Sequence, residues 1–147
     1  MTVFRVRNPM APMAKISQLC YNYYMSAVTV IFYEDEQGCP VLEWLESIQQ
    51  RAYAKGIIRI ERLAELGHTI RRPEADFLRD NIYELRWRLG SVNYRIFYFF
   101  HGREIVVLAH GITKKKNISD KDIDLAVKRK ETYLKKPEKY THYEVLK

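Results

Sequence analysis

The sequence is poor in the residues that mark most recognisable sites. In 147 residues it has two cysteines, six glycines and five prolines. Cys20 and Cys39 stand in unrelated contexts, so they make neither a disulfide framework nor a CxxC-type ligand pair. They fit a reducing, cytoplasmic compartment. No apolar run approaches the ~18 residues of a membrane span, which argues against a membrane protein. Residues 1–27 lack the apolar stretch of about 7–15 residues that a signal peptide carries, and read as an arm outside the domain. A glycine-rich phosphate loop, HExxH and GxSxG are all missing, which excludes the common nucleotide-cofactor, zinc-hydrolase and serine-hydrolase signatures. Neither a metal nor a cofactor is expected.

What is present is apolar, aromatic and basic. A hydrophobic content of 47% and an aromatic content of 13% exclude wholesale disorder. The length suits one domain. Lys and Arg number 25 against 18 Asp and Glu, a formal charge of +7 that favours nucleic acid, an acidic protein or an anionic surface as partner.

The periodicities predict an α+β fold. "VTVIFY" (Val28–Tyr33) is β-branched and aromatic, hence a strand. "CPVLEWLESIQQ" opens a helix at Pro40, with Val41, Leu42, Trp44, Leu45 and Ile48 mostly on one side. A second helix covers Ala52–Leu66, with Ile57, Ile58, Ile60, Leu63 and Leu66 inward and Gly67 as cap; Gly56 weakens it or divides the two helices. "HTIRRPEADFLRDN" reads as a loop. Strands follow at Asn81–Leu89, Val92–Phe100 and Glu104–Ile112, in an antiparallel meander. A last helix spans Ser119–Lys136 and stops before Pro137. The domain is therefore 28–136, and 137–147 is a polar tail.

A two-residue turn at Gly90-Ser91 makes paired positions of the first hairpin fixed. Trp87 then faces Tyr94, Leu85 faces Ile96 and Tyr83 faces Tyr98 on an apolar side. On the other side Arg88 faces Asn93 and Arg86 faces Arg95. Opposed like charges destabilise a ladder, so a shared anion is one explanation and a carboxylate such as Glu84 or Glu104 is the other. If an anion is the explanation, alanine at either arginine leaves the fold as stable or slightly more so. The third strand has two possible registers: His110 faces Asn93 on the arginine side after a two-residue turn, or Tyr94 on the apolar side after a three-residue turn.

Arg86 and Arg95, with Lys114, Lys115 and Lys116 beyond the third strand and His110 just before them, form a cationic group suited to phosphate. Arginine forks grip a phosphate bidentately, lysines add mobile charge, and both stabilise the charge that develops in phosphoryl transfer. Arg86, Arg95, His110, Lys114 and Lys115 are the candidate catalytic residues; Arg88 and Lys116 join the two arginines as candidate RNA contacts. The plainer alternatives are a solvated lysine run, salt-bridged arginines and a core histidine. Tyr140, His142 and Tyr143 belong to a frayed tail or fold back to stack or transfer protons. His101 lies in a turn, Tyr94 and Tyr98 in the core, and Trp44 packs its helix.

The ordered set "IYELR", "YRIFYFF", "IVVLAHGITKKK" and "DLAVKRKETY", with Arg72-Pro73 ahead of it, resembles the phage-derived HigB-like toxins of the RelE/ParE superfamily over about 28–136. The resemblance implies two N-terminal helices packed on a twisted antiparallel sheet. It implies the toxin of a type II toxin–antitoxin pair, a metal-independent endoribonuclease that cleaves mRNA on the ribosome. It also implies a cognate antitoxin, a HigA-like helix-turn-helix protein, as partner. Arg86, Arg95 and the lysines after "HGIT" fall on the family motif, whereas no residue matches an acid or base unambiguously. A gyrase poison of the ParE branch and a non-toxic RNA-binding or regulatory module are the other two classes open at this point.

Overall fold

The computed structural model describes residues 4–5, 28–114 and 117–144. Its strands are β1 (Phe4–Arg5), β2 (Thr29–Tyr33), β3 (Ala75–Arg79), β4 (Ile82–Leu89), β5 (Val92–His101), β6 (Ile105–Lys114) and β7 (Thr141–His142). The helices are α1 (Pro40–Ser47), α2 (Gln50–Leu66) and α3 (Asp120–Lys135). One mixed sheet runs in the order β1-β2-β6-β5-β4-β3, and β7 also pairs with β2.

The expectation of an antiparallel sheet needs correction at β2, which lies parallel to β6 with Val30 beside Val106 and Phe32 beside Leu108. A parallel neighbour requires a crossover, and here α1, α2 and the whole β3–β4–β5 meander lie between the two strands in sequence. The segment expected to be a loop before the hairpin also holds a strand, β3, because Ala75–Arg79 finds an antiparallel partner in β4.

Two buried clusters occupy opposite sides of the sheet. One joins Val41 and Leu45 of α1 and Ile60 and Leu63 of α2 with Leu85, Trp87, Ile96, Tyr98 and Leu108. Trp87 Nε1 donates to the Ala52 carbonyl at 2.9 Å. The Trp87 ring lies where a Cβ on Gly56 would stand, so that glycine belongs inside α2 for close packing. The helices divide instead at Ile48 and Gln49, both extended at ψ 165 and ψ 140. Ile58, expected inward, is 62% exposed. It follows Ile57 by one residue and faces about 100° away around the helix.

The second cluster joins Ile123, Ala126 and Tyr133 of α3 with Ile82, Phe97, Phe99 and Val107. Ser119 caps α3, its hydroxyl accepting from the Asp122 amide. Part of the tail adds to β2, where Phe32 faces His142 and Tyr33 faces Thr141. Tyr140 stacks on Tyr33 with ring centroids 5.9 Å apart, and His142 pairs with Glu34 and Glu144, so these two residues lie against β2 and away from the arginines.

Candidate functional site

The hairpin register places Arg86 opposite Arg95 and Arg88 opposite Asn93. Neither expected register holds for β6. The turn comprises Gly102, Arg103 and Glu104, the ladder opens with His101 beside Ile105, and a bulge between Tyr98 and Phe97 brings His110 beside Phe97. Gly102, at φ 66, supplies the left-handed backbone that the turn requires. Because the bulge adds Ala109 to one strand alone, it changes which side His110 takes. By strand alternation one side of the sheet then carries Arg88, Arg86 and Glu84 on β4, Asn93, Arg95 and Phe97 on β5, and Lys114, Ile112 and His110 on β6.

The arginine pair is not a bare like-charge contact. Glu84, 3% exposed, offers Oε1 to Arg86 Nη1 at 3.1 Å, and its Oε2 stands 3.7 Å from Arg95 Nε. That second approach is an ion pair without a hydrogen bond, and both atoms are buried with no other hydrogen-bond partner. Arg86 is further fixed from its own edge of the sheet: its Nε donates to the Pro73 carbonyl at 2.9 Å and its amide to the Glu74 carbonyl at 2.9 Å. One buried carboxylate thus lies between two guanidinium groups, one of which keeps about a third of its side chain in solvent (32%). Arg88 is exposed and donates to the Gly90 carbonyl.

His110 and Lys114 meet at a second carboxylate. Asp122 Oδ1 lies 3.1 Å from His110 Nε2, and Asp122 Oδ2 receives the Ser119 hydroxyl at 2.7 Å and lies 3.2 Å from Lys114 Nζ. Burial pushes the Asp122 carboxyl up, but the bonds from Ser119, His110 and Lys114 outweigh it and hold the group at about 2. Burial is also the main influence on His110, lowering its pKa; Arg129 and Lys114 act the same way, and the Asp122 bond opposes them. Arg129 Nη1 donates to the Ala109 carbonyl at 2.7 Å and lies 3.3 Å from His110 Nδ1. A guanidinium only donates, so Nδ1 accepts and the proton of the neutral ring sits on Nε2, toward Asp122. His110 therefore links β6 to α3 with both nitrogens engaged.

The face therefore holds two groups. Arg86 and Arg95 meet at Glu84; His110 and Lys114 meet at Asp122. Lys115 and Lys116 lie outside the described residues. Five cations (Arg86, Arg88, Arg95, Lys114 and Arg129) less two carboxylates (Glu84 and Asp122) leave a local charge of +3 with His110 neutral. Three contributors escape a reading of the sequence as to role: Asp122, Ser119 and Arg129. Ser119 and Asp122 show the spacing of a capping box, and Asp122 and Arg129 are seven apart, hence on one side of α3. Their meeting with His110 depends on the bulge, which leaves no mark in the sequence.

Among the described residues no helix is long and apolar enough to cross a membrane. No curated protein matches this chain. Residues 43–131, from α1 through most of α3, match the family described as Phage derived protein Gp49-like (DUF891). That match covers more than half of the chain and contains Glu84, Arg86, Arg95, His110 and Asp122, so the protein belongs to the Gp49-like phage-derived family.

Proposed function

We propose that this protein is the toxin of a type II toxin–antitoxin pair and cleaves mRNA on the ribosome, with the arginine side of its sheet against the scissile phosphate. The family is associated with RelE/HigB-like toxins, and is compatible with a toxin role. The single observation that carries the proposal is the opposed pair Arg86 and Arg95, ordered by Glu84 on a side of the sheet that α3 covers only in part.

In this reaction the 2′-oxygen attacks the adjacent phosphorus and the bond from phosphorus to the 5′-oxygen breaks. The products are a 2′,3′-cyclic phosphate and a 5′-hydroxyl. The proton lost by the 2′-hydroxyl goes to a base, and the departing 5′-oxygen takes one from an acid or is supported by a cation. Arg86 and Arg95 hold the nonbridging oxygens and stabilise the charge that grows on them. Lys114, with Lys115, supports the leaving oxygen, and Arg88 and Lys116 hold the flanking backbone. His110 serves as the base once its Nδ1 leaves Arg129, a change that a phosphate drawing Arg129 away would produce. An antitoxin of helix-turn-helix type is the expected neutralising partner.

The test uses Arg86→Lys and Arg95→Lys, which keep the charge beside Glu84 but remove the planar fork. Cleavage of an mRNA by translating ribosomes is mapped by primer extension, next to thermal melting. Cleavage should fall by ~10²-fold or more while the melting point stays near that of the parent. Full cleavage by both variants removes the arginines from the site, and gyrase inhibition by the parent without RNA cleavage assigns the fold to the gyrase-poisoning class.

A further inference from the structure

On the opposite side of the sheet, past the C-terminal end of α2, a cleft of about 430 Å³ opens between the 67–72 segment and the ends of β3, β4 and β5. Ile70, Ala75 and Tyr98 form its buried floor. Its walls are aromatic: Tyr83 stacks on Tyr98 at 5.5 Å and stands edge-on to Phe77 at 5.2 Å, while His68 lies flat on Phe100 at 3.8 Å. Phe77 at the rim is 51% exposed. The exposed phenylalanine thus borders a concave site where aromatic walls meet a few polar side chains, the mixture that suits docking of an amphipathic segment.

Two arginines line the mouth, Arg71 and Arg72. Arg71 is exposed, and its Nη1 is ordered by the carbonyls of His68 at 2.7 Å and Ile70 at 2.9 Å. No carboxylate pairs with it among the described residues. Its neighbours are paired, Arg72 with Asp76, and Arg59 and Arg62 both with Glu74, which offsets one of those two charges.

We propose that this cleft is a docking site for an acidic peptide segment of a partner protein, one that places an aromatic or aliphatic side chain against Phe77 and Tyr83 and a carboxylate on Arg71. The proposal does not depend on the ribonuclease reading. RNA fits less well, because binding a strand takes several phosphate contacts, whereas the cleft offers one arginine without a carboxylate among the described residues, enough for a single side-chain carboxylate. Addition of a strand to the open edge of β3 is not the mode. The Arg86 amide bonds the Glu74 carbonyl, so by alternation the amides of Ala75 and Phe77 point to that edge. Both are already engaged, by the Arg71 carbonyl at 3.2 Å and by Asp76 Oδ1 at 3.0 Å. Recognition therefore falls to side chains in the cleft.

The experiment selects a displayed library of random dodecapeptides on the immobilised full chain, then measures the recovered peptides by fluorescence polarisation. Parent, Phe77→Ser, Arg71→Glu and Arg88→Glu are compared, the last lying on the other side of the sheet. Recovered peptides should carry an apolar residue beside Asp or Glu. They should lose about tenfold or more in affinity for Phe77→Ser and Arg71→Glu and bind Arg88→Glu as they bind the parent. Selection that yields no such peptide, or peptides indifferent to Phe77 and Arg71, overturns the proposal. Labelled oligouridylate is run in parallel. If Arg71→Glu weakens it more than Arg88→Glu does, the cleft is an RNA surface and the peptide proposal fails. Both test residues are exposed, and Arg71→Glu keeps the proposal testable should Phe77→Ser fold poorly.

Discussion

The two sides of the β4–β5 hairpin are built from alternate residues of the same strands, yet they follow different rules. On the side toward α1 and α2, Leu85, Trp87, Tyr94, Ile96 and Tyr98 are buried among apolar neighbours, and packing accounts for every one of them. On the other side Glu84 is buried with charge, and Arg95 keeps only 15% of its side chain in solvent beside it. Burying an ion pair rarely gains stability over an apolar pair of similar size. The first side is therefore packed throughout, whereas the second, next to its own apolar cluster under α3, carries an arrangement that folding alone does not favour. That difference is the physical reason for placing function at the arginines.

Four measurements test the contrast between the two sides. The largest effect belongs to the packed side: Trp87→Ala opens a cavity under α2 and removes the indole's bond to the Ala52 carbonyl, for a loss of about 3–5 kcal/mol by denaturant unfolding. A loss near zero there would mean that the hairpin is not held by this face.

Next is Glu84→Ala, which leaves Arg86 and Arg95 facing each other without their carboxylate. Removing one member of a buried pair is expensive; Arg86 reaches solvent, so the expected loss is about 2 kcal/mol, below the fully buried range. Adding Arg95→Ala to Glu84→Ala should restore part of it. If the double variant is no better than the single one, the three groups are not coupled. The same geometry reverses the expectation drawn from the like-charge pair alone. Alanine at either arginine removes a partner of Glu84, and so should lower the melting point slightly rather than raise it.

A smaller effect is a matter of pH. Asp122 sits at about 2 in the folded chain, below its ordinary value, so its contribution is intact above ~3.9 and disappears as pH falls toward 2. The His110 value is lowered too, so the unfolded chain takes up that proton first. Its contribution is complete above ~6.5 and is lost as pH falls through the folded value. Melting temperature against pH should show both declines, with His110→Gln removing the upper and Asp122→Asn the lower. A parent curve flat from pH 7 to pH 2 would contradict the link between β6 and α3. The smallest effect is at Ile58, exposed on α2, where Ile58→Lys should change stability by no more than ~0.5 kcal/mol.

Ile58 also marks how far the sequence could be read. Apolar spacing located both helices, but a run of three isoleucines in four positions cannot all face one way, and only the packed structure says which one turns out. The Gly90-Ser91 turn set the arginine pair in register because a two-residue hairpin leaves no freedom. The β6 register was beyond reach, since a bulge costs one residue and carries no compositional signal. Strand β3 was hidden for a similar reason: proline and mixed charge dominate its surroundings, and its pairing with β4 is a tertiary fact. Glu84 was visible as a salt-bridge partner, but its burial between both arginines was not.

The short run from Arg71 to Asp76 has a consequence of its own. Its first two residues and its last two line the aromatic cleft, while between them Pro73 and Glu74 present carbonyls that hold Arg86 on the far side of the sheet. Six residues thus act as a party wall between two rooms, and neither can be refurnished without the other hearing it. A substitution at Pro73 chosen to reshape the cleft also loosens the guanidinium behind it. Variants at Pro73 and Glu74 are accordingly the wrong tools for assigning an effect to one surface; residues that touch one side alone, such as Phe100 or Arg95, keep the two apart.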